Sequence, residues 1–252
     1  MIIRHPLDMS HHISHAWQGS VRTDEPELLD LGLGSPAEVA ANLTEMWRIN
    51  RYLGGLRALT RHLYPRLRAR PGPITLIDLG TGSADVPKAI VRWAWAHHVP
   101  VRIFAVDWAA RNLEFARTKV GAVPEVTLLH ADAHCLPFPV PGVDFVISSL
   151  FLHHFSEVQA IHLLRSAFAH ARQGIIMSDL VRGKAPYTAF KLLQPLVARN
   201  ALTRHDGALS IQRAYTPTEL MALARAAGLS DARVHTHWPW RMTLVADKGL
   251  GL

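Results

Sequence analysis

Ile74-Thr75-Leu76-Ile77-Asp78-Leu79-Gly80-Thr81-Gly82-Ser83-Ala84-Asp85 is the stretch on which the fold turns. Ile74 to Leu79 is a short apolar run of strand length, and a helical stretch follows from about Ala84 to His98. Gly80 and Gly82 form the junction, where backbone N–H groups converge on a ligand at the helix N-terminus. Its neighbours exclude two common occupants. A dinucleotide fingerprint wants a third glycine at position 85, but Asp85 stands there and its charge repels a pyrophosphate. A P-loop needs Gly-Lys-Ser/Thr, which does not follow. What remains is an acid, Asp78, two residues before the first glycine.

Outward from this junction, strands alternate with helices. Val101–Val106, Val126–His130, Val143–Ser149 and Gly174–Ser178 read as strands; Ala109–Val120 and Val158–Ala171 read as the intervening helices. Short strands separated by helices pair in parallel through right-handed crossovers, which predicts an α/β, doubly wound sheet. Pro217–Ala227 is a further helix, and Ala232–His237 with Arg241–Ala246 pair as a closing hairpin around Pro239. Upstream, Ser35-Pro36-Ala37-Glu38 is a helix start with N-cap, N1 proline and capping-box glutamate. Gly54-Gly55 ends that helix, a second runs from about Leu56 to Leu67, and Pro71-Gly72-Pro73 stops it. Residues 1–70 thus form a helical N-terminal segment before a core of residues 71–252.

Three acids fall at three successive strand ends: Asp78, Asp107 and Asp132. A ligand with a cationic amine and no phosphate suits them, and S-adenosylmethionine (SAM) is such a ligand. Asp78 can organise its ammonium end while Gly80, Thr81 and Gly82 let the methionyl chain pass close. Asp107 can accept both ribose hydroxyls, and Trp108 offers adenine an aromatic face. Asp132-Ala133 lies where the adenine amine needs an acceptor. On these residues the chain resembles the class I SAM-dependent methyltransferase family from about Pro73 to Asp179. The resemblance implies a Rossmann-like seven-stranded sheet with an antiparallel C-terminal hairpin and a helical N-terminal lid. It also implies SAM as cofactor, Ser149 in the fourth motif beside the departing methyl group, and Arg51 with Tyr52 near the cofactor. Ala84 replaces the third glycine of some members.

The fourth motif reads Ser148-Ser149-Leu150-Phe151-Leu152-His153-His154-Phe155. It lacks the Asn/Asp-Pro-Pro-aromatic sequence of amide- and base-nitrogen enzymes. It also lacks the acidic cluster of metal-dependent catechol enzymes, so no metal is expected. The segment is similar to small-molecule methyltransferases of quinone and polyketide pathways. The expected reaction is O-methylation of a phenolic or polyketide-like acceptor, metal-independent and cytoplasmic. Neutral imidazole suits removal of a hydroxyl proton. His154 is the first candidate base, His153 is a second that can equally point into the core, and His205 beside Asp206 is a rival pair. A phenol already acidified by neighbouring carbonyls needs only positioning. Val181–Tyr215 interrupts the alternation, and its Tyr187, Phe190, Leu192, Leu193 and Leu196 are candidate acceptor-pocket or core residues.

Composition bounds the rest. The 252 residues are 49% apolar and 19% charged, a globular mixture, with Cys135 as the single cysteine. One cysteine allows no intramolecular disulfide, which fits a reducing compartment. No signal-peptide pattern opens the chain, and no apolar run nears the ~18 residues of a membrane span. The net charge of +7 equals the seven arginines between Arg48 and Arg70, a segment without Asp or Glu. A solvated helix face is expected there, with a subunit interface as another use. An RNA-directed methyltransferase or SAM-binding module using that segment is the alternative of a different class, and C-methylation of an activated ring carbon is a third. His11, His12 and His15 read as scattered surface histidines.

Overall fold

The computed structural model describes residue 17 and residues 21–249; His11, His12 and His15 lie outside them. Seven strands form one sheet in the order β3-β2-β1-β4-β5-β7-β6. They are β1 (Ile74–Leu79), β2 (Val101–Asp107), β3 (Val126–His130), β4 (Val143–Ser149), β5 (Ala171–Leu180), β6 (Arg233–His237) and β7 (Arg241–Asp247). β1 to β5 pair in parallel, while β7 runs antiparallel to both β5 and β6. The doubly wound sheet with an antiparallel closing hairpin is therefore as expected. Strand order reverses between β1 and β4, and the carboxyl ends of these strands open there onto a crevice, the position where such sheets bind ligands.

Strand periodicity divides the core. Ile77, Val146, Ile175 and Leu244 pack on one face against Leu163 and Leu164 of α5 (Glu157–His170) and Leu220 and Leu223 of α8 (Pro217–Ala226). Their neighbours Leu76, Ile147, Ile176 and Val245 pack on the other. There they meet Ile90 and Ala94 of α3 (Asp85–Ala96) and Leu59, Leu63 and Leu67 of α2 (Gly55–Arg68). α2 is thus a layer of the sheet packing, and of the first two helices only α1 (Pro36–Tyr52) lines the central cavity. Gly55 opens α2 rather than ending α1, because Gly54 alone supplies the left-handed turn at φ +83°. The capping box at Ser35 is present, its hydroxyl accepting from the Glu38 N–H.

One boundary changes and one open choice is decided. β5 is ten residues long, twice the apolar run that marks it, because β4 and β7 pair along both its edges. The interrupting segment is a helix pair, α6 (Lys184–Val197) and α7 (Ala201–Arg213). Tyr187 and Phe190 are buried against Ala208 and Ile211 of α7, while Leu192 and Leu196 are exposed, so none of these α6 residues lines the cavity. Along Arg48–Arg70, Arg66 pairs with Asp247, Arg68 lies over Trp93 and Arg70 stands 3.8 Å from Asp144. Such dispersed partners suit a solvated helix face more than a stripe for a polyanion. Among the described residues no helix is long and apolar enough to cross a membrane.

Candidate active site

A cavity of about 690 Å³ opens at the carboxyl ends of β1, β2 and β4. Gly80, Thr81 and Gly82 form its floor, with Asp107, Trp108, Asp132 and Ala133 on one side and Ser149 on another. Gly80 is required twice over: its φ is +66°, and a Cβ would meet the Phe151 ring at 2.1 Å. Asp107 holds the loop, accepting from the Gly82 N–H (2.8 Å), the Ala109 N–H (2.9 Å) and Asn112 Nδ2 (3.2 Å). Burial raises its pKa, and the two backbone donors oppose that rise. Trp108 is 73% exposed at the rim, offering a face at the cavity mouth. Asp132 accepts from the His134 N–H through Oδ1 (2.8 Å). Ser149 Oγ accepts from Asn50 Nδ2 (3.1 Å).

Asp78 stands beneath this floor rather than in the cavity lining. Its buried carboxylate accepts from the Thr81 hydroxyl at 2.7 Å, so it acts on the cavity through Thr81. Burial pushes its pKa up to about 7, with the charge of Asp107 adding and the Thr81 bond opposing. An acid so raised releases its proton more readily in the unfolded chain, so its contribution to stability falls as pH rises from 3.8 to about 7. Asp78→Asn is therefore expected to raise Tm by an amount that grows across that interval and is constant above it. Thermal scans across that range check this; a gain with no pH dependence contradicts it. Arg51 lies outside the cavity, its guanidinium over the Tyr52 ring at 5.5 Å; the end of α1 points it to solvent.

The residues present fit SAM on two counts. The glycine floor is a cradle that a side chain at Gly80 would fill. Asn42 and Asn112 also line the cavity, each with a buried Oδ1 that has no hydrogen-bond partner, so acceptors stand ready for amine and hydroxyl donors.

Solved structures share the fold at low identity. A SAM-dependent methyltransferase from Aquifex aeolicus is 15% identical, over 85% of this chain and 99% of that one, with a TM-score of 0.59. A protein assigned as an O-methyltransferase from Nostoc punctiforme PCC 73102 is 20% identical, over 84% of this chain and 60% of that one, with a TM-score of 0.55. The CMeT domain of the citrinin polyketide synthase is 14% identical, over 69% and 46%, with a TM-score of 0.52. No curated protein matches the chain by sequence. Residues 76–174 match the family model of a methyltransferase domain. Over those residues the chain is similar to a methyltransferase domain.

The cavity continues past the glycine floor to a second end, where the three candidate histidines separate. His154 lines it, on a 3₁₀ turn (Leu152–His154) after β4, and its Nδ1 is 3.0 Å from Asp30. Asp30 also accepts from Arg213 Nη1 at 3.0 Å. Burial works to raise the Asp30 pKa, but the bond to His154, its charge and that of Arg213 outweigh it and bring the value to about 2. Asp30 is therefore a carboxylate at neutral pH, and the Nδ1–H of His154 donates to it.

His153 is a correction. It is 1% exposed and outside the cavity lining, with Nδ1 2.7 Å from Asp179 Oδ1 and its backbone N–H donating to Asp179 Oδ2 (3.0 Å). Burial alone would lower its pKa, but Asp179 and Glu27 raise it well above the ordinary range, so without another ligand it is an imidazolium and no base. His205 is a second correction: Asp206 lines the cavity but His205 does not, its Nδ1 being 2.8 Å from Asp206 Oδ1. The Asp206 carboxylate also accepts from the N–H groups of Leu28 (2.9 Å) and Leu29 (3.1 Å) and so anchors residues 21–34 across the site. That segment supplies Glu27, Leu29 and Asp30 to the cavity, and no motif in the sequence marks them.

Proposed function

We propose that this methyltransferase transfers the SAM methyl group to a hydroxyl of a small phenolic or polyketide-like molecule. The observation that carries the reading is His154: a cavity-lining imidazole whose Nδ1–H is held by an ionised aspartate. That hydrogen bond fixes the tautomer, leaving Nε2 as the basic nitrogen. Leu43, Met46 and Trp47 of α1 with Phe151 and Phe155 give the cavity an apolar and aromatic lining suited to a flat ring.

SAM, when bound, supplies an electrophilic methyl carbon on a sulfonium. The chain's part is alignment, exclusion of water and acceptance of one proton. Asp107, the glycine floor and Trp108 hold the adenosyl and methionyl portions. Phe151 packs over Gly80 and Phe155 meets Phe151 edge-on, separating the reacting centre from solvent. His154 Nε2 takes the acceptor's proton while Asp30 stabilises the resulting imidazolium. The N-terminal segment with α1 and the α6–α7 pair serve as the lid and substrate region, within which α1 and α7 supply cavity residues.

Incubation with SAM and a panel of phenols should yield S-adenosylhomocysteine and methyl ethers. His154→Ala is expected to lower kcat by about 10²–10⁴-fold with cofactor affinity unchanged. Loss of the same size in His153→Gln with none in His154→Ala would reverse the assignment. Methylated RNA, or a product methylated at ring carbon, as the main outcome would contradict the acceptor class.

A further inference from the structure

We infer that Glu27, His153 and His154 form a binding site for one divalent transition-metal ion of the zinc class at the acceptor end of the cavity. Each of the three residues offers one ligand atom, and these atoms all lie within 4.8 Å of one another. Ligands about 2.1 Å from a common ion stand roughly 3–4 Å apart, so the set closes by side-chain adjustments of about an ångström.

The independent observation is His153 Nε2. It is buried in a residue 1% exposed, has no hydrogen-bond partner, and faces Glu27 Oε1 at 3.5 Å, past a good hydrogen bond. Both imidazoles are already oriented as metal-binding histidines are: His153 Nδ1 is held by Asp179 at 2.7 Å and His154 Nδ1 neighbours Asp30 at 3.0 Å. Glu27 is fixed by the Ser210 hydroxyl, which donates to Oε1 at 2.7 Å. Two imidazoles and one carboxylate suit Zn²⁺, Co²⁺ or Fe²⁺; Mg²⁺ and Ca²⁺ prefer an all-oxygen set. Glu27 and His154 line the cavity, so a fourth position would open toward the acceptor. The ion would replace any proton on His153 Nε2. With the ion in place His154 is a ligand rather than a base, and an acceptor hydroxyl beside the ion is acidified by it instead. The sequence concealed this set because Glu27 comes from a segment without pattern, 126 residues before His153.

The site is read on the protein alone, independently of any methyl transfer. Chelator-treated full chain is titrated with Co²⁺, followed by its visible d–d absorption, and zinc content is measured after loading and gel filtration. One equivalent per chain is expected, with affinity lowered at least ~100-fold in both Glu27→Gln and His154→Ala. Glu27→Gln keeps an acceptor for Ser210 and so guards against misfolding. Controls are His62→Ala/His237→Ala, His134→Ala/His162→Ala and the triple replacement of His11, His12 and His15, all expected to bind as the wild type does. No uptake by wild type overturns the inference, as does binding unchanged in the two site variants or lost only in a control. Absence of methyl transfer with intact cobalt binding would fault the proposed function and leave the site standing.

Discussion

Asp107→Ala is expected to lower the affinity for S-adenosylhomocysteine at least ~100-fold. Two losses add up. A carboxylate accepting a pair of ribose hydroxyls makes charge-assisted bonds of about 1.5–3 kcal/mol each, and one such pair alone spans the hundredfold. Asp107 also fastens the floor itself, since its Oδ2 takes the Gly82 N–H at 2.8 Å and its Oδ1 the Ala109 N–H at 2.9 Å. Alanine abolishes both; asparagine keeps one acceptor oxygen and is expected to cost about tenfold. Calorimetric titration of the three proteins checks the order wild type, Asp107→Asn, Asp107→Ala. Unchanged affinity in the alanine variant would mean the ribose is held elsewhere.

Asp179→Ala has the largest expected effect on the fold. Asp179 accepts from both the ring and the backbone N–H of His153, and both residues are almost fully buried. Removing one partner of a buried charged pair costs about 3–5 kcal/mol, which for a chain of this size lowers Tm by roughly 10 °C. The pH dependence has a sign. The raised His153 pKa stabilises fully below its ordinary 6.5 and less as pH climbs toward the folded-state value. The lowered Asp179 pKa stabilises above its ordinary 3.8 and less as pH falls below it. The gap in Tm between wild type and Asp179→Ala should therefore be widest between about pH 4 and pH 6.5 and narrow on both sides. A gap that widens steadily above pH 7 would contradict the pairing.

The glycine-floor end of the candidate site is legible in the sequence because it is local. Asp78, Gly80, Gly82, Asp107 and Asp132 each sit at a strand end marked by its own apolar run, and the parallel order of the sheet gathers those ends. The His154 end is not local. Asp30 and His154 are 124 residues apart and meet because the Asp206 carboxylate pins residues 28 and 29 across the crevice while Arg213 holds Asp30 itself. Adjacent residues there also have opposite fates. The 3₁₀ turn sends His153 inward to Asp179 and His154 to the cavity, a choice that neither periodicity nor composition encodes. α6 stayed open between pocket and core for a related reason: its apolar residues are divided between packing on α7 and open solvent, and a stripe in sequence does not say which.

Parallel titration of the wild-type chain with S-adenosylhomocysteine and with NADH tests the central claim most directly, because both ligands present ribose and adenine and differ in what the glycine floor must hold. The floor with Asp85 in place of a third glycine predicts saturable binding of S-adenosylhomocysteine at one site per chain and no binding of NADH. Tight binding of NADH with none of S-adenosylhomocysteine would contradict it.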